Sequence, residues 1–273
     1  MNRLSIISLL IFLISFFSCA NVIKEVTNKS EEFIFIGHPR TSDQINQSML
    51  SSVERIDYSR FSMTLLGGDL TLNSTSNKAL SYLDSILDIS SPNTLFALGN
   101  HDFPNPLLDS FTGRDSYYAY YRNGLTYLVL NTEDDPGNIS NDQIDLIKEV
   151  TDTISQSSHL IILHHRILWM IGNNDLNSLL SLVGGSTRDI SSTNFYSDVY
   201  PLLVKVEDKG VDVICLAGDR TNINIDYITN DSVQFIATGM KPAHPDSTNY
   251  VVIFQHNIKH RSLDWNFCSL NEL

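Results

Sequence analysis

The chain of 273 residues has only 3 cysteines, and its basic side chains are few: 18 Lys and Arg against 31 Asp and Glu, a formal charge of −13. So few cysteines exclude a disulfide-framework protein, and no Cys-x-x-Cys pair marks a structural zinc. The shortage of Lys and Arg speaks against nucleic-acid binding, which leaves a basic patch or stripe. No apolar run reaches the roughly 20 residues of a membrane-spanning helix. Familiar catalytic signatures are missing too: there is no Gly-x-Ser-x-Gly, Walker A or His-Glu-x-x-His. Cys215 and Arg220 are one residue too close for a cysteine-phosphatase loop, and Cys215 sits in an apolar run that reads as a buried strand. Whether Cys215 and Cys268 pair stays open, because pairing needs a proximity that sequence does not give.

What is present begins with an address. Arg3 precedes a nearly continuous apolar run over residues 4–17, and Ser18-Cys19 follows. The pattern reads as a secretory signal and resembles a bacterial lipobox. That resemblance implies removal of residues 1–18, lipidation of Cys19, a polar tether over residues 19–32, and an exported chain held at the bacterial cell envelope by lipid alone. Phe17 stands where a small residue is usual, which keeps plain secretion or a periplasmic location as the alternative. Residues 33–273 carry no repeat or linker and read as one domain. Hydrophobic residues make up 42% of the chain, enough for a packed core.

Short apolar runs alternate with amphipathic stretches, predicting a mixed α/β fold with two sheets. Strands are expected at residues 33–36, 63–66, 94–98, 160–163, 211–216, 233–238 and 250–254, with a hairpin through Asn123-Gly124. Helices are expected at 49–56, 78–87, 143–154 and 202–207, and an irregular excursion at 170–194 with a short helix near 176–182. Four strands end on polar residues: Gly68-Asp69, Gly99-Asn100-His101-Asp102, His164-His165 and Gly218-Asp219. Ligands of open α/β sheets bind outside the carboxyl ends of the strands. Carboxylate, amide oxygen and imidazole gathered there suit a divalent Mn, Zn or Fe ion.

Leu66-Gly67-Gly68-Asp69, Leu98-Gly99-Asn100-His101-Asp102 and Leu163-His164-His165, in that order, resemble the calcineurin-like metallophosphoesterases. The resemblance implies a four-layer αββα sandwich that hydrolyses phosphoesters with two metal ions. Two motifs depart from the family. Its Asp-x-His reads His38-Pro39-Arg40 here, and its Gly-His-x-His reads Gly218-Asp219-Arg220-Thr221. By position, the first metal would take His38, Arg40, Asp69 and Thr221, and two of these cannot ligate normally. The second would take Asp69, Asn100, His164 and Asp219, all able to ligate.

The expectation is therefore one ion on Asp69, Asn100, His164 and Asp219, with Arg40 supplying charge lost from the first site. Arg40, with Arg220 and His38, would bind the phosphoryl group. The resemblance makes His101 the acid for the leaving group, oriented by Asp102. His164 is expected to face the site and His165 to serve packing. The substrate class would be a phosphorylated small molecule or envelope phosphoester. The alternative is a catalytically inactive relative, without a metal, that keeps the sandwich to bind a ligand or partner.

Overall fold

The computed structural model describes residues 30–42, 48–221 and 223–273. The signal, Cys19 and residues 19–29 of the expected tether lie outside these described residues. The elements in chain order are β1 (Ser30–Ile36), α1 (Ser51–Glu54), β2 (Met63–Leu66), α2 (Asn77–Leu87), β3 (Thr94–Phe96), α3 (Leu108–Thr112), β4 (Tyr118–Arg122), β5 (Leu125–Val129) and α4 (Asn141–Thr153). They continue with β6 (His159–His164), α5 (Gly185–Arg188), α6 (Tyr200–Glu207), β7 (Asp212–Ala217), β8 (Ile225–Ile228), β9 (Gln234–Ala237), β10 (Tyr250–Asn257) and β11 (Ser262–Ser269).

Two sheets form, ordered β11-β10-β1-β2-β3 and β4-β5-β6-β7-β9-β8. Alternation along each strand sends side chains to two different cores. In β1, Phe33 and Phe35 face a core shared with Leu65, Leu163 and Leu216, and Phe33 stacks on Phe254 with centroids 4.8 Å apart. Ile34 and Ile36 face the other way, onto Val53 of α1 and Leu80, Leu83 and Leu87 of α2. In β6, Ile161 and Leu163 point between the sheets, while Leu160 and Ile162 pack with Ile147 of α4 and Leu203 of α6. Helices, sheet, sheet and helices thus stack as the αββα sandwich. α2 shows the local logic: its apolar residues share one face, the Ser76 side chain accepts from the Ala79 N–H at its start, and Asp88 ends it in the left-handed region.

The boundaries shift in places. β1 starts at Ser30, so Ser30, Glu31 and Glu32, assigned to the tether, pair with Asn257, His256 and Gln255 of β10. β8 and β11 are strands that the apolar pattern does not announce, because both lie at sheet edges with one face toward solvent. Cys215 and Cys268 are both free. They cannot pair, because Cys215 packs in the outer core of one sheet and Cys268 against the outer core of the other.

The sheets meet backbone to backbone just past the carboxyl ends of β2 and β7. A Cβ built on Gly218 would lie 2.4 Å from the Gly67 Cα, backbone against backbone. No side chain is available there to move aside. Gly218→Ala is expected to destabilise the fold by roughly 1–3 kcal/mol or more, read as a lower urea midpoint with an unchanged slope.

Candidate functional site

Beyond β2 the chain turns through two successive left-handed residues, Gly68 at φ 86° and Asp69 at φ 53°. A side chain at Gly68 would strike the Gly99 N and the His165 ring, at 2.6 and 2.7 Å. Aspartate tolerates the left-handed region better than most residues, and the turn buries its carboxylate among donors. Asp69 Oδ1 accepts the His101 backbone N–H at 3.0 Å and lies 3.7 Å from His165 Nε2. Asp69 Oδ2 lies 3.5 Å from His38 Nε2 and 3.6 Å from Arg40 Nε. Burial opposes ionisation of Asp69, but His165, His38 and His101 together hold its pKa below the ordinary value.

Asp102 has a different task from the one expected. Its Oδ2 accepts the N–H groups of Asp69 at 2.5 Å and Gly99 at 3.0 Å, and its Oδ1 that of Leu70 at 3.3 Å. It braces the two turns that carry Asp69 and His101. The His101 ring is oriented by the Leu72 carbonyl instead, 2.8 Å from Nδ1. Burial first, and then the neighbouring Asp69 charge, push the Asp102 carboxyl up to about 7.

Four imidazoles share one arrangement. Nδ1 of His38, His101, His164 and His165 lies 2.7–2.9 Å from the carbonyls of Met240, Leu72, Arg166 and Gly67 respectively. A carbonyl only accepts, so Nδ1 carries a proton in each and Nε2 is the nitrogen left for chemistry. Nε2 of both His164 and His165 is buried without a hydrogen-bond partner. Burial lowers the pKa of His38 and His164 to about 4, so both are neutral at pH 7. His165 is the opposite case. Burial disfavours its charge, yet the carboxylates of Asp69, Asp219 and Glu133 prevail and raise it to about 9.

Asp219 closes the far side of the site. Its Oδ1 is 3.8 Å from His165 Nε2 and accepts the Arg220 N–H at 2.7 Å. Its Oδ2 accepts the hydroxyls of Ser186 and Thr187, at 2.6 and 2.5 Å. Those hydroxyls come from the excursion, which the Gly184 N–H fastens to the Arg220 carbonyl at 2.7 Å. Arg166 holds the same segment by bonding the Ser186 carbonyl and both oxygens of Glu133, with Nε–Oε1 at 2.7 Å.

The structure thus gathers His38, Arg40, Asp69, His101 and Asp219, with Asp102 beneath them. Asn100 is exposed. His164 turns toward Arg166, and it is His165 that stands between Asp69 and Asp219, the reverse of the sequence expectation. Residues 161 and 163 point between the sheets and 165 continues their alternation, a parity that a strand apolar on both faces does not reveal. Arg220 meets Asp219 through its backbone, and Arg188 pairs with Asp189 on the surface. Glu133, Arg166, Ser186 and Thr187 carry no motif and become visible only through contacts between distant segments.

No protein-family model and no curated protein matches the chain. Among solved structures it is similar to a dimetal phosphatase from Danio rerio, at 13% identity and a TM-score of 0.56, over 88% of this chain and 99% of that one. Vps29 of Chaetomium thermophilum aligns at 11% identity with a TM-score of 0.36, over 88% of this chain and 98% of that one. The likeness to the phosphatase carries the architecture: two mixed sheets flanked by helices in the metallophosphoesterase fold.

Among the described residues, no three His, Cys, Asp or Glu side chains form a group that could hold a metal ion. Arg40 and His38 stand against one oxygen of Asp69, His165 faces the other, and Asp219 has both oxygens engaged by hydrogen bonds. Asp69 and Asp219 both face His165, while His164 turns toward Arg166 and Asn100 is exposed.

The charge on His165 is directly testable. Side-chain NMR is expected to show the ring doubly protonated at pH 7.5 and titrating near 9, and neutral at pH 7.5 in the Asp69→Asn/Asp219→Asn double variant. A folded pKa above the ordinary 6.5 gives stability that is complete below pH 6.5 and lost as pH rises through about 9. Denaturant titrations should register that loss as roughly 1–3 kcal/mol.

Proposed function

We propose that the chain is a non-hydrolytic binding protein built on the metallophosphoesterase fold, its own cations standing where the sequence resemblance implies metal ions. The observation that carries this reading is the neutralisation of Asp69 by Arg40 and His165, with a neutral His38 beside the same carboxylate. A dication within about 4 Å of the Arg40 guanidinium meets a repulsion on the order of 8 kcal/mol at an effective dielectric of 20, which cancels the attraction of one carboxylate at the same distance. It also requires His165 to give up its proton and Asp219 to release its hydroxyl donors. Asp69 itself, held below the ordinary carboxylate pKa, is a weak base for activating water. Export, a lipid anchor on Cys19 and a place in the bacterial envelope belong to the same proposal and rest on residues 1–19.

A second reading, hydrolysis of a phosphorylated small molecule or envelope phosphoester with one Mn, Zn or Fe ion, draws on a different observation. The buried Nε2 atoms of His164 and His165 lack partners, and the Gly99-Asn100-His101-Asp102 turn is intact. Under it, Arg40 would hold the phosphoryl group and His101 would protonate the leaving group.

Metal analysis and hydrolysis assays separate the two. Protein purified without chelator is expected to carry substoichiometric metal. It should leave p-nitrophenyl phosphate and bis-p-nitrophenyl phosphate intact with Mn, Zn or Fe added. One ion per chain, together with hydrolysis that His101→Ala abolishes, would establish the second reading and end the first.

A further inference from the structure

A second concavity, of about 340 Å³, opens between the start of the excursion, the turn leading into α6 and the connection from β8 to β9. Three tyrosines line it, Tyr196, Tyr200 and Tyr227, none fully buried. Their rings rest on a buried aromatic floor. Tyr200 and Tyr227 each lie 6.3 Å from the Phe235 centroid, Tyr196 lies 5.3 Å from Tyr200, and Phe235 stacks on Trp169 at 4.8 Å.

The hydroxyls are fixed as well. Tyr227 donates to Asp175 Oδ2 at 2.6 Å and Tyr200 to Asp231 Oδ2 at 2.9 Å. Tyr196 donates to the Trp169 carbonyl at 2.6 Å and accepts from Asn173 Nδ2 at 3.0 Å. Rigid tyrosines give a large amphipathic contact area at little entropic cost, and asparagines supply adaptable hydrogen bonds. Asn174 and Asn230 stand exposed at the rim.

Charge narrows the occupant. No Lys or Arg lines the groove, and Asp175 and Asp231 turn anions away, phosphate included. Both carboxylates already accept a tyrosine hydrogen bond, and Tyr200 and Tyr227 share one support in Phe235, which makes a floor and not a cage around a cation. An aromatic floor edged by carboxylates and amides matches a ligand with apolar C–H faces and a rim of hydroxyls. We infer that this groove binds a neutral saccharide. The site is separate from Asp69, and binding there does not depend on whether that centre hydrolyses phosphoesters.

Titration calorimetry of the full chain tests the assignment, with maltohexaose, cellohexaose, xylohexaose, mannohexaose and chitohexaose as probes and tetramethylammonium as the cationic comparison. At least one hexasaccharide is expected to bind. Tyr227→Ala and Asn230→Ala should each weaken it tenfold or more, and tetramethylammonium should neither bind nor compete. Asn230 is exposed, so its replacement keeps the fold, which an unchanged melting temperature verifies. Absence of binding by every hexasaccharide, affinity unchanged in both variants, or displacement by tetramethylammonium would each overturn the assignment. None of these outcomes touches the metal and hydrolysis measurements at Asp69.

Discussion

The two sheets touch backbone to backbone at Gly67 and Gly218, and the arrangement of the candidate site depends on that contact. Because neither residue has a Cβ, the carboxyl ends of β2 and β7 come close enough for one side chain to span them. That side chain is His165. Its Nδ1 donates to the Gly67 carbonyl at 2.7 Å, and its own carbonyl accepts the N–H groups of Gly218 and Asp219, at 3.2 and 2.9 Å. With its ring and its backbone both committed to the junction, its Nε2 has one direction left, toward Asp69 and Asp219. The position of the charge in the site follows from a steric fact about two glycines.

Three carboxylates are buried around this junction, and each is compensated differently. A buried charge without partners costs several kcal/mol, so some compensation is obligatory. Asp102 takes backbone N–H groups, which never leave, and its role is structural. Asp219 takes two hydroxyls and a backbone N–H, a neutral set that leaves its charge to be balanced by His165. Asp69 takes one backbone N–H and then depends on side chains, two imidazoles and a guanidinium. His38 and Asp219 place one imidazole and one carboxylate at the junction. Arg40 adds a permanent positive charge beside Asp69.

Much of this was legible in the sequence. The apolar run at residues 33–36 and the spacing of Leu80, Leu83 and Leu87 report burial, so the two sheets and main elements could be read from local pattern, while the αββα layering followed from the motif resemblance. The turns at Gly68-Asp69 and Gly99–Asp102 were legible because they need particular backbone conformations at fixed places. β11 was not, since an edge strand has one solvated face and its residues alternate without a continuous apolar run. The roles of Ser186 and Thr187 were hidden for another reason: nothing in a run of small polar residues tells that it folds back over a carboxylate 32 residues away. The exchange between His164 and His165 was a choice of strand parity. The apolar residues on either face of β6 are equally hydrophobic, and only the placement of the second sheet distinguishes inward from outward.

The excursion behaves as a fastening and not as a lid. Its hydroxyls reach Asp219 because residues 183–187 are held at several points: the Gly184–Arg220 backbone bond, the bridge between Val183 and Thr221, and the Arg166 guanidinium. Arg166 is itself locked by two bonds to a Glu133 side chain only 3% exposed. Breaking a buried pair by removing one partner costs roughly 3–5 kcal/mol, a large share of the stability of an ordinary domain. Uncovering Asp219 therefore requires undoing a network, whereas a gate for substrates would turn on a few weak contacts. The coverage of Asp219 belongs to the folded state itself. The same segment continues back to Asn173 and Asp175 at the tyrosine groove, so one stretch of chain both covers Asp219 and frames that groove.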